Sequence, residues 1–257
     1  MPLEEAIKDQ KPTLSIVIPA FNEARRIGTT LESIATYATR THCELIVVDD
    51  GSSDETAEIV RRFVHASLEM HLLTNSANRG KGHAVRRGML AATGDAVLMC
   101  DADLSTPIEE LEKLRLWLAR GYDVVIGSRD MPDSRLDPPQ PILRRWMAWL
   151  FRGVRRRLML KHVRDTQCGF KLFTRRAARE IFAQQTENGW LFDCEVLGLA
   201  ERLGYRIKEA GVTWCNHPDT RVRPLRTALT ALPRLLAIRR RLAETINHRG
   251  AEDAEKD

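Results

Sequence analysis

Two carboxylates, Asp101 and Asp103, directly follow the apolar run Val97–Cys100. Because they are two residues apart at the end of a predicted strand, they can converge on one divalent cation if the chain turns there. Carboxylate oxygens suit Mg²⁺ or Mn²⁺, and such ions bind diphosphates. An Asp-x-Asp pair on its own more often forms a surface turn, so the metal-site interpretation depends on the residues that accompany it.

A second acidic pair, Asp49 and Asp50, ends another apolar run and precedes Gly51, Ser52 and Ser53. One carboxylate could accept a base N–H of a nucleoside and another a ribose hydroxyl. The alternative is a helix N-cap with an Asx turn, which needs no ligand.

The segment Asn78–Gly82 is the third candidate for ligand chemistry. Its glycines, Gly80 and Gly82, allow a close approach of the backbone, and Lys81 between them supplies positive charge. The segment is not a Walker A motif, which would need the pattern GxxxxGK followed by Ser or Thr.

These polar residues all follow apolar runs that read as buried strands, separated by segments with helical periodicity. The predicted strands are Leu14–Pro19, Glu44–Val48, Met70–Thr74, Ala96–Cys100, Val124–Ser128 and Ile207–Val212. The predicted helices are Asn22–Tyr37, Asp54–Val64, Gly82–Ala92, Pro107–Ala119, Thr174–Phe182 and Cys194–Leu203. This alternation predicts an α/β fold with a mostly parallel sheet and helices on both faces. Ligands of such sheets bind beyond the carboxyl ends of the strands.

The chain has 257 residues, 43% of them hydrophobic, which suits one substantial α/β domain. We expect a flexible N-terminus (1–12), the main domain (13–220) with a basic amphipathic helical insertion (135–163), a basic C-terminal helical segment (221–248) and a charged tail (249–257). The five cysteines are scattered and never spaced as CxxC, which argues against a disulfide framework and a zinc site.

The formal charge of +5 is concentrated in two blocks. Eight Arg or Lys residues and no acid lie between Arg144 and Arg164, together with Trp146, Trp149 and Phe151. Seven Arg residues and no acid lie in 220–243. Such blocks favour an anionic partner, and the first fits a helix in a membrane interface. The alternative is a subdomain packed on the main sheet. We find no signal peptide and no apolar run of the roughly 18 residues that span a bilayer, so we expect a soluble or peripheral protein.

Five segments, in this order and spacing, resemble the family 2 glycosyltransferases: Ile18–Glu23, Asp49–Asp54, Asn78–Gly82, Asp101–Asp103 and Gly127–Arg129. The resemblance covers roughly residues 13–240 and implies the GT-A fold, with its Rossmann-like sheet. The segments Asp165–Phe173 and Trp190–Glu195 look like those of dolichyl-phosphate β-glucosyltransferases and their bacterial polyprenyl-phosphate relatives.

This resemblance implies an inverting, metal-dependent transfer of a hexose, with glucose from UDP-glucose as the first choice. The acceptor would be a polyprenyl or dolichyl phosphate, and the enzyme would lie peripherally at the inner, cytoplasmic face of the membrane. By the same resemblance Asp101 and Asp103 hold Mg²⁺ or Mn²⁺, and Asp50 contacts the base or ribose with support from Glu23 and Asp49. Residues implied to carry catalysis are Asp193, Arg129 and Lys171; further residues implied to bind the substrates are Pro19, Ala20, Asn22, Ser52, Lys81, Gly82, Ala102, Gln167 and Glu195.

Several alternatives remain open at this point. Within the family, the donor could be GDP-mannose, or the acceptor could carry a hydroxyl, in which case Asp193 would act as the base. Outside it, the arginine blocks could mark a nucleic-acid-binding protein, although no known reader motif is present. A nucleotidyltransferase and a non-catalytic nucleotide-binding relative are the remaining alternatives. We expect no nucleic-acid partner.

Overall fold

The computed structural model describes residues 12–38, 41–66, 69–137, 153, 159–160, 162–215 and 231–243. The strands are β1 (Leu14–Ala20), β2 (Cys43–Asp49), β3 (Met70–Thr74), β4 (Ala96–Cys100), β5 (Val124–Ser128), β6 (Arg135–Asp137), β7 (Phe170–Thr174), β8 (Ile207–Gly211) and β9 (Thr213–Cys215). The helices are α1 (Ile27–Ala38), α2 (Thr56–Ala66), α3 (Lys81–Ala91), α4 (Leu111–Ala119), α5 (Arg175–Gln184), α6 (Phe192–Arg202) and α7 (231–243). A 3₁₀ turn, Ile108–Glu110, precedes α4.

Seven of the described strands form one sheet in the order β3-β2-β1-β4-β7-β5-β8. All neighbours pair in parallel except β7, which runs antiparallel to both β4 and β5. Strands β6 and β9 form a separate parallel pair. The mostly parallel sheet is as predicted, whereas the antiparallel strand β7 and the β6–β9 pair were not.

Apolar layers cover both faces of the sheet, as the alternation of strands and helices predicted. On one face, Ile27 and Leu31 of α1 pack with Val60 of α2 and Leu111 of α4. The other face is covered by α3, α5 and α6, whose buried apolar side chains include Val85, Met89, Ile181, Phe182 and Val196. Every residue of β1 and β2 is buried, in keeping with their mostly hydrophobic sequences.

Helix α1 begins at Ile27, five residues after the predicted start at Asn22. Asn22 has a positive φ of 55°, outside the right-handed helical region. Its N–H donates to the Ser52 hydroxyl at 2.8 Å, and the Ser53 N–H donates to its side-chain oxygen at 2.8 Å. Ser52 and Ser53 therefore hold the loop after β1 and do not cap α2. The N–H of Thr56, the first residue of α2, instead donates to Asp54 Oδ1 at 3.0 Å.

Helix α7 packs against the start of α6 through Ala231, Leu235 and Ile238, which contact Leu191 and Cys194. It belongs to the predicted C-terminal helical segment, whose residues 221–230 and 244–248 lie outside the described part of the chain, as do 1–11 and 249–257. The predicted helical insertion opens with strand β6 instead of a helix. Its aromatic residues at 146, 149 and 151 lie outside the described residues. None of the helices described is long and apolar enough to cross a membrane.

Candidate active site

A cavity of about 410 Å³ lies at the carboxyl ends of β1, β2 and β4, where the parallel sheet was expected to bind its ligand. Its volume is within the usual range for small-molecule sites. The lining residues are Pro19, Ala20, Phe21, Glu23, Arg26, Asp50, Asn78, Gly80, Lys81, Ala84, Asp101, Ala102 and Asp103.

Lys81 and Asp101 form an ion pair in the wall of this cavity, with 2.6 Å between Nζ and Oδ1. Burial lowers the pKa of Lys81, but the carboxylates of Asp101, Asp193 and Asp103 raise it well above its usual value. The ammonium group therefore stays charged at any physiological pH. A fixed positive charge in a cavity is suited to binding an anion such as a diphosphate.

Asp101 is held in place by Gly169, which lies just before β7. The Asp101 N–H donates to the Gly169 carbonyl at 2.9 Å. A Cβ on Gly169 would lie 1.9 Å from Asp101 Oδ2, so only glycine leaves room for this carboxylate. The close approach explains a glycine at this position.

Asp103 lies in the turn after β4, where Leu104 has a positive φ of 45°. Asp103 Oδ1 accepts the N–H of Ser105 at 2.9 Å. Among the described residues, no group of three His, Cys, Asp or Glu side chains could hold a metal ion. Two carboxylates lining a cavity are nevertheless the hard oxygen donors that Mg²⁺ or Mn²⁺ prefers, with substrate phosphates and water completing the shell. The donor set thus fits such an ion.

The carboxylate of Asp50 holds the loop that leads to Lys81. It accepts hydrogen bonds from Asn75 Nδ2 at 2.6 Å and from the N–H of Gly80 at 2.7 Å. The N–H of Arg79 donates to both of its oxygens at 3.1 Å. Gly80 has a φ of 104°, a conformation that favours glycine. Asp50 therefore shapes the cavity wall, and its contact with a base or ribose stays a prediction.

Arg129 and Asp165 form a bidentate ion pair that joins the end of β5 to the segment before β7. Nε and Nη2 of Arg129 lie 2.7 and 2.9 Å from the two carboxylate oxygens. Burial raises the pKa of Asp165, but Arg129 holds it well below its usual range. Asp165 Oδ1 also accepts the N–H of Gln167 at 3.0 Å.

Lys171 and Asp193 form a third ion pair, which is almost entirely buried. Nζ of Lys171 donates to Asp193 Oδ1 and, at 2.5 Å, to the Cys168 carbonyl. Burial raises the pKa of Asp193, and the charges of Lys171 and Lys81 oppose that shift. Removing either partner of a buried ion pair leaves the other charge buried and unpaired, which strongly destabilises the folded protein.

Comparison with known proteins identifies the family. Residues 15–182 match the model of glycosyl transferase family 2. The chain belongs to this family. It is 34% identical over 240 residues to the dolichyl-phosphate β-glucosyltransferase of Dictyostelium discoideum, covering 88% of this chain and 73% of that protein. The human protein of the same name is 32% identical over 243 residues, covering 89% and 75%.

Solved structures confirm the fold of this glycosyltransferase. Glucosyl-3-phosphoglycerate synthase of Mycobacterium tuberculosis, in complex with Mn²⁺, UDP and phosphoglyceric acid, superimposes with a TM-score of 0.69. The alignment covers 93% of this chain and 81% of that one, at 22% sequence identity. The predicted GT-A fold and the predicted membership of family 2 are therefore both confirmed.

About half of the predicted site residues lie together in the fold of the glycosyltransferase, around the cavity. Predicted residues that line the cavity are Pro19, Ala20, Glu23, Asp50, Lys81, Asp101, Ala102 and Asp103. Asn22, Asp49 and Ser52 instead fix the loops of its wall, since Asp49 Oδ1 accepts the Ser52 N–H at 3.3 Å.

The remaining predicted residues of the glycosyltransferase do not line the cavity formed by the described residues: Gly82, Arg129, Gln167, Lys171, Asp193 and Glu195. Gly82 donates its N–H to Asn188, and the carboxylate of Glu195 accepts hydrogen bonds from Thr186 and Glu187. The structure therefore gives these residues protein partners. Their contact with substrate stays a prediction.

Five residues that line the cavity were not among the predicted site residues: Phe21, Arg26, Asn78, Gly80 and Ala84. Phe21, Asn78 and Gly80 lie inside segments that the family resemblance had already singled out. Arg26 forms an i,i+3 ion pair with Glu23 at 2.7 Å, a spacing that the sequence displays. No sequence signal distinguishes Ala84 from other helix residues.

Proposed function

We propose that this glycosyltransferase transfers glucose from UDP-glucose to a polyprenyl or dolichyl phosphate at the cytoplasmic surface of a membrane. The observation that carries the proposal is the cavity that Lys81, Asp101 and Asp103 line together and in which Lys81 forms an ion pair with Asp101. Relatives that are dolichyl-phosphate β-glucosyltransferases, at 32–34% identity over most of the chain, support the choice of sugar and acceptor. Membership of this family favours it over the nucleic-acid-binding and nucleotidyltransferase alternatives.

In this proposal the positive charge of Lys81 stabilises the diphosphate as it departs with the nucleotide. Asp101 and Asp103 would hold Mg²⁺ or Mn²⁺, which supplies Lewis-acid stabilisation of the same leaving group. The acceptor oxygen attacks the anomeric carbon from the opposite side, the bond from that carbon to the diphosphate oxygen breaks, and UDP leaves. The configuration at the anomeric carbon is thereby inverted.

The environment of Asp193 supports a phosphate acceptor over a hydroxyl acceptor. The Asp193 side chain is only 5% exposed and is paired with Lys171. A general base must come within hydrogen-bond reach of the proton that it removes. A phosphate oxygen is already anionic and needs no such base, so a buried, paired Asp193 is compatible with that acceptor.

The test is sugar transfer in liposomes that contain either polyprenyl phosphate or the corresponding polyprenol. UDP-glucose, GDP-mannose and UDP-GlcNAc are supplied separately, with Mn²⁺ or Mg²⁺ and with EDTA. We expect glucosyl product from UDP-glucose on the phosphate lipid alone, lost with EDTA. Product from GDP-mannose alone would support the mannosyl alternative. Metal-dependent hydrolysis of UDP-glucose without lipid product would rule out the lipid phosphate acceptor.

Replacing Gly169 with alanine tests the placement of Asp101. The new Cβ would lie 1.9 Å from Asp101 Oδ2, so the carboxylate must move away. We expect kcat/KM for UDP-glucose to fall about 100-fold, since small displacements of a reacting group are costly. Gly28→Ala is the control, because its Cβ would meet only Ile59 at 3.8 Å. Equal activity of the two variants would contradict this role of Gly169.

A further inference from the structure

Helix α3 begins at Lys81, and none of the described side chains caps its first turn. The first N–H groups of an α-helix have no partner inside the helix and must find one outside. Here the carbonyl oxygen of Asn188 accepts the N–H of Gly82 at 2.8 Å and that of His83 at 3.3 Å. The backbone of another segment thus completes the turn from which Lys81 reaches Asp101.

This contact needs an unusually close approach of two backbones. A Cβ on Gly80 would lie 2.3 Å from the backbone carbonyl oxygen of Asn188, and one on Gly82 would lie 2.2 Å from the backbone carbonyl oxygen of Glu187. Both glycines flank Lys81, so the position of the lysine depends on the segment 185–189. Any shift of that segment would move the first turn of α3.

The carboxylate of Glu195, in the first turn of α6, holds Thr186 and Glu187 of the segment 185–189. Glu195 Oε2 accepts the N–H of Thr186 at 3.0 Å and that of Glu187 at 2.6 Å. Its other oxygen accepts the Thr186 hydroxyl at 2.7 Å. The Glu195 side chain is 4% exposed, so water competes little for these charge-assisted hydrogen bonds.

Helix α7 supplies positive charge to the same carboxylates. Arg241 Nη2 lies 3.5 Å from Glu195 Oε1, and Arg234 Nη2 lies 3.7 Å from Glu187 Oε1. Between these arginines, Leu235 and Ile238 pack into the apolar cluster beside α6. The C-terminal helix is therefore joined to the segment that caps α3.

We propose that Glu195 is a positioning residue for the donor site and that Arg241 of α7 supports it as a counter-ion. Glu195 fixes the segment 185–189, the Asn188 carbonyl fixes the first turn of α3, and that turn fixes Lys81 against Asp101. The donor site thus depends on contacts made by residues 185–241 as well as on the loops that follow β1 to β4. This proposal rests on the proposed function in one respect, namely that Lys81 contacts the diphosphate of the donor.

The test is Glu195→Met, which removes both acceptor oxygens. We expect the Kd for UDP, measured by calorimetry with Mn²⁺ and with EDTA, to rise about ten-fold. The KM for UDP-glucose rises in parallel, while the KM for polyprenyl phosphate is unchanged. Glu195→Gln keeps an oxygen for the two N–H groups and should restore most of the affinity. In a Lys81→Met background, Glu195→Met should have little further effect.

Arg241→Gln tests whether the counter-ion of Glu195 affects the donor site, and it leaves the buried carboxylate in place. We expect a rise of about threefold in the Kd for UDP, and no change for Arg239→Gln, which replaces another exposed arginine of the same helix. Unchanged UDP affinity in folded Glu195→Met and Arg241→Gln proteins would overturn the proposal. So would a rise confined to the acceptor KM, which would make Glu195 an acceptor contact. A wild-type chain that binds no UDP would contradict the proposed function itself.

Discussion

Replacing Lys81 with methionine is expected to lower the rate of glucosyl transfer by about 10²–10³-fold, the usual cost of removing one group that stabilises developing negative charge. Lys81 lines the cavity and lies 2.6 Å from Asp101. The raised pKa keeps its ammonium group charged, so the loss should be the same throughout the working pH range. Single-turnover measurements with saturating UDP-glucose isolate the chemical step from product release.

The same variant should bind Mn²⁺ about ten-fold more tightly, because the ammonium group no longer competes for Asp101. A lower transfer rate together with a higher Mn²⁺ affinity indicates that only a charge-stabilising group has been lost. A collapsed site would instead lose both activity and Mn²⁺ binding. Lys113→Met is the matched control, since this lysine pairs with Glu110 at 2.5 Å on the surface of α4. If Lys81→Met and Lys113→Met had equal rates, Lys81 would have no part in the transfer.

The sequence sufficed to predict the polar cavity wall because its residues follow strands that are adjacent in a parallel sheet. The strands predicted at 14–19, 44–48, 70–74, 96–100 and 124–128 are each found within one residue of those bounds. Since parallel strands end at one edge, Asp50, Lys81 and Asp101 were expected to lie together, and they line one cavity. Local hydrophobic patterns carry this information.

Strand β7 could not be predicted from local pattern, because its buried lysine interrupts the apolar run. Lys171 lies between β4 and β5, opposite Met99 and Ile126. It is tolerated there only because Asp193, 22 residues later, reaches it from α6. A charged residue inside a strand pattern normally argues against burial, and its partner becomes evident only in three dimensions.

The roles of the more distant predicted residues were hidden for a related reason. Arg129 pairs with Asp165, which lies 36 residues later in the sequence. Glu195 accepts hydrogen bonds from the backbone N–H groups of Thr186 and Glu187. A family resemblance marks such residues as important without showing whether they contact substrate or other parts of the protein. Their hydrogen bonds in the folded chain assign Arg129 and Glu195 protein partners.

Replacing Lys171 with methionine is expected to lower the free energy of unfolding by about 3–5 kcal/mol at pH 7, because it leaves Asp193 buried and unpaired. The two side chains are 1% and 5% exposed. Urea unfolding followed by circular dichroism measures the loss. The double variant Lys171→Met/Asp193→Leu removes both charges and should recover most of the lost stability, since an apolar pair of similar volume is often neutral. An equally unstable double variant would show that packing, not charge, causes the loss.

The pH dependence separates these causes further. Burial already raises the pKa of Asp193, and Lys171 opposes that shift, so the pKa of this carboxyl must rise further when the lysine is gone. The folded variant then retains a proton that the unfolded chain releases, and its stability increases as the pH falls through the folded-state pKa toward that of the unfolded chain. We therefore expect the difference from wild type to shrink between pH 7 and pH 5 in Lys171→Met. No such narrowing is expected in the double variant, which has no carboxyl at position 193 to protonate.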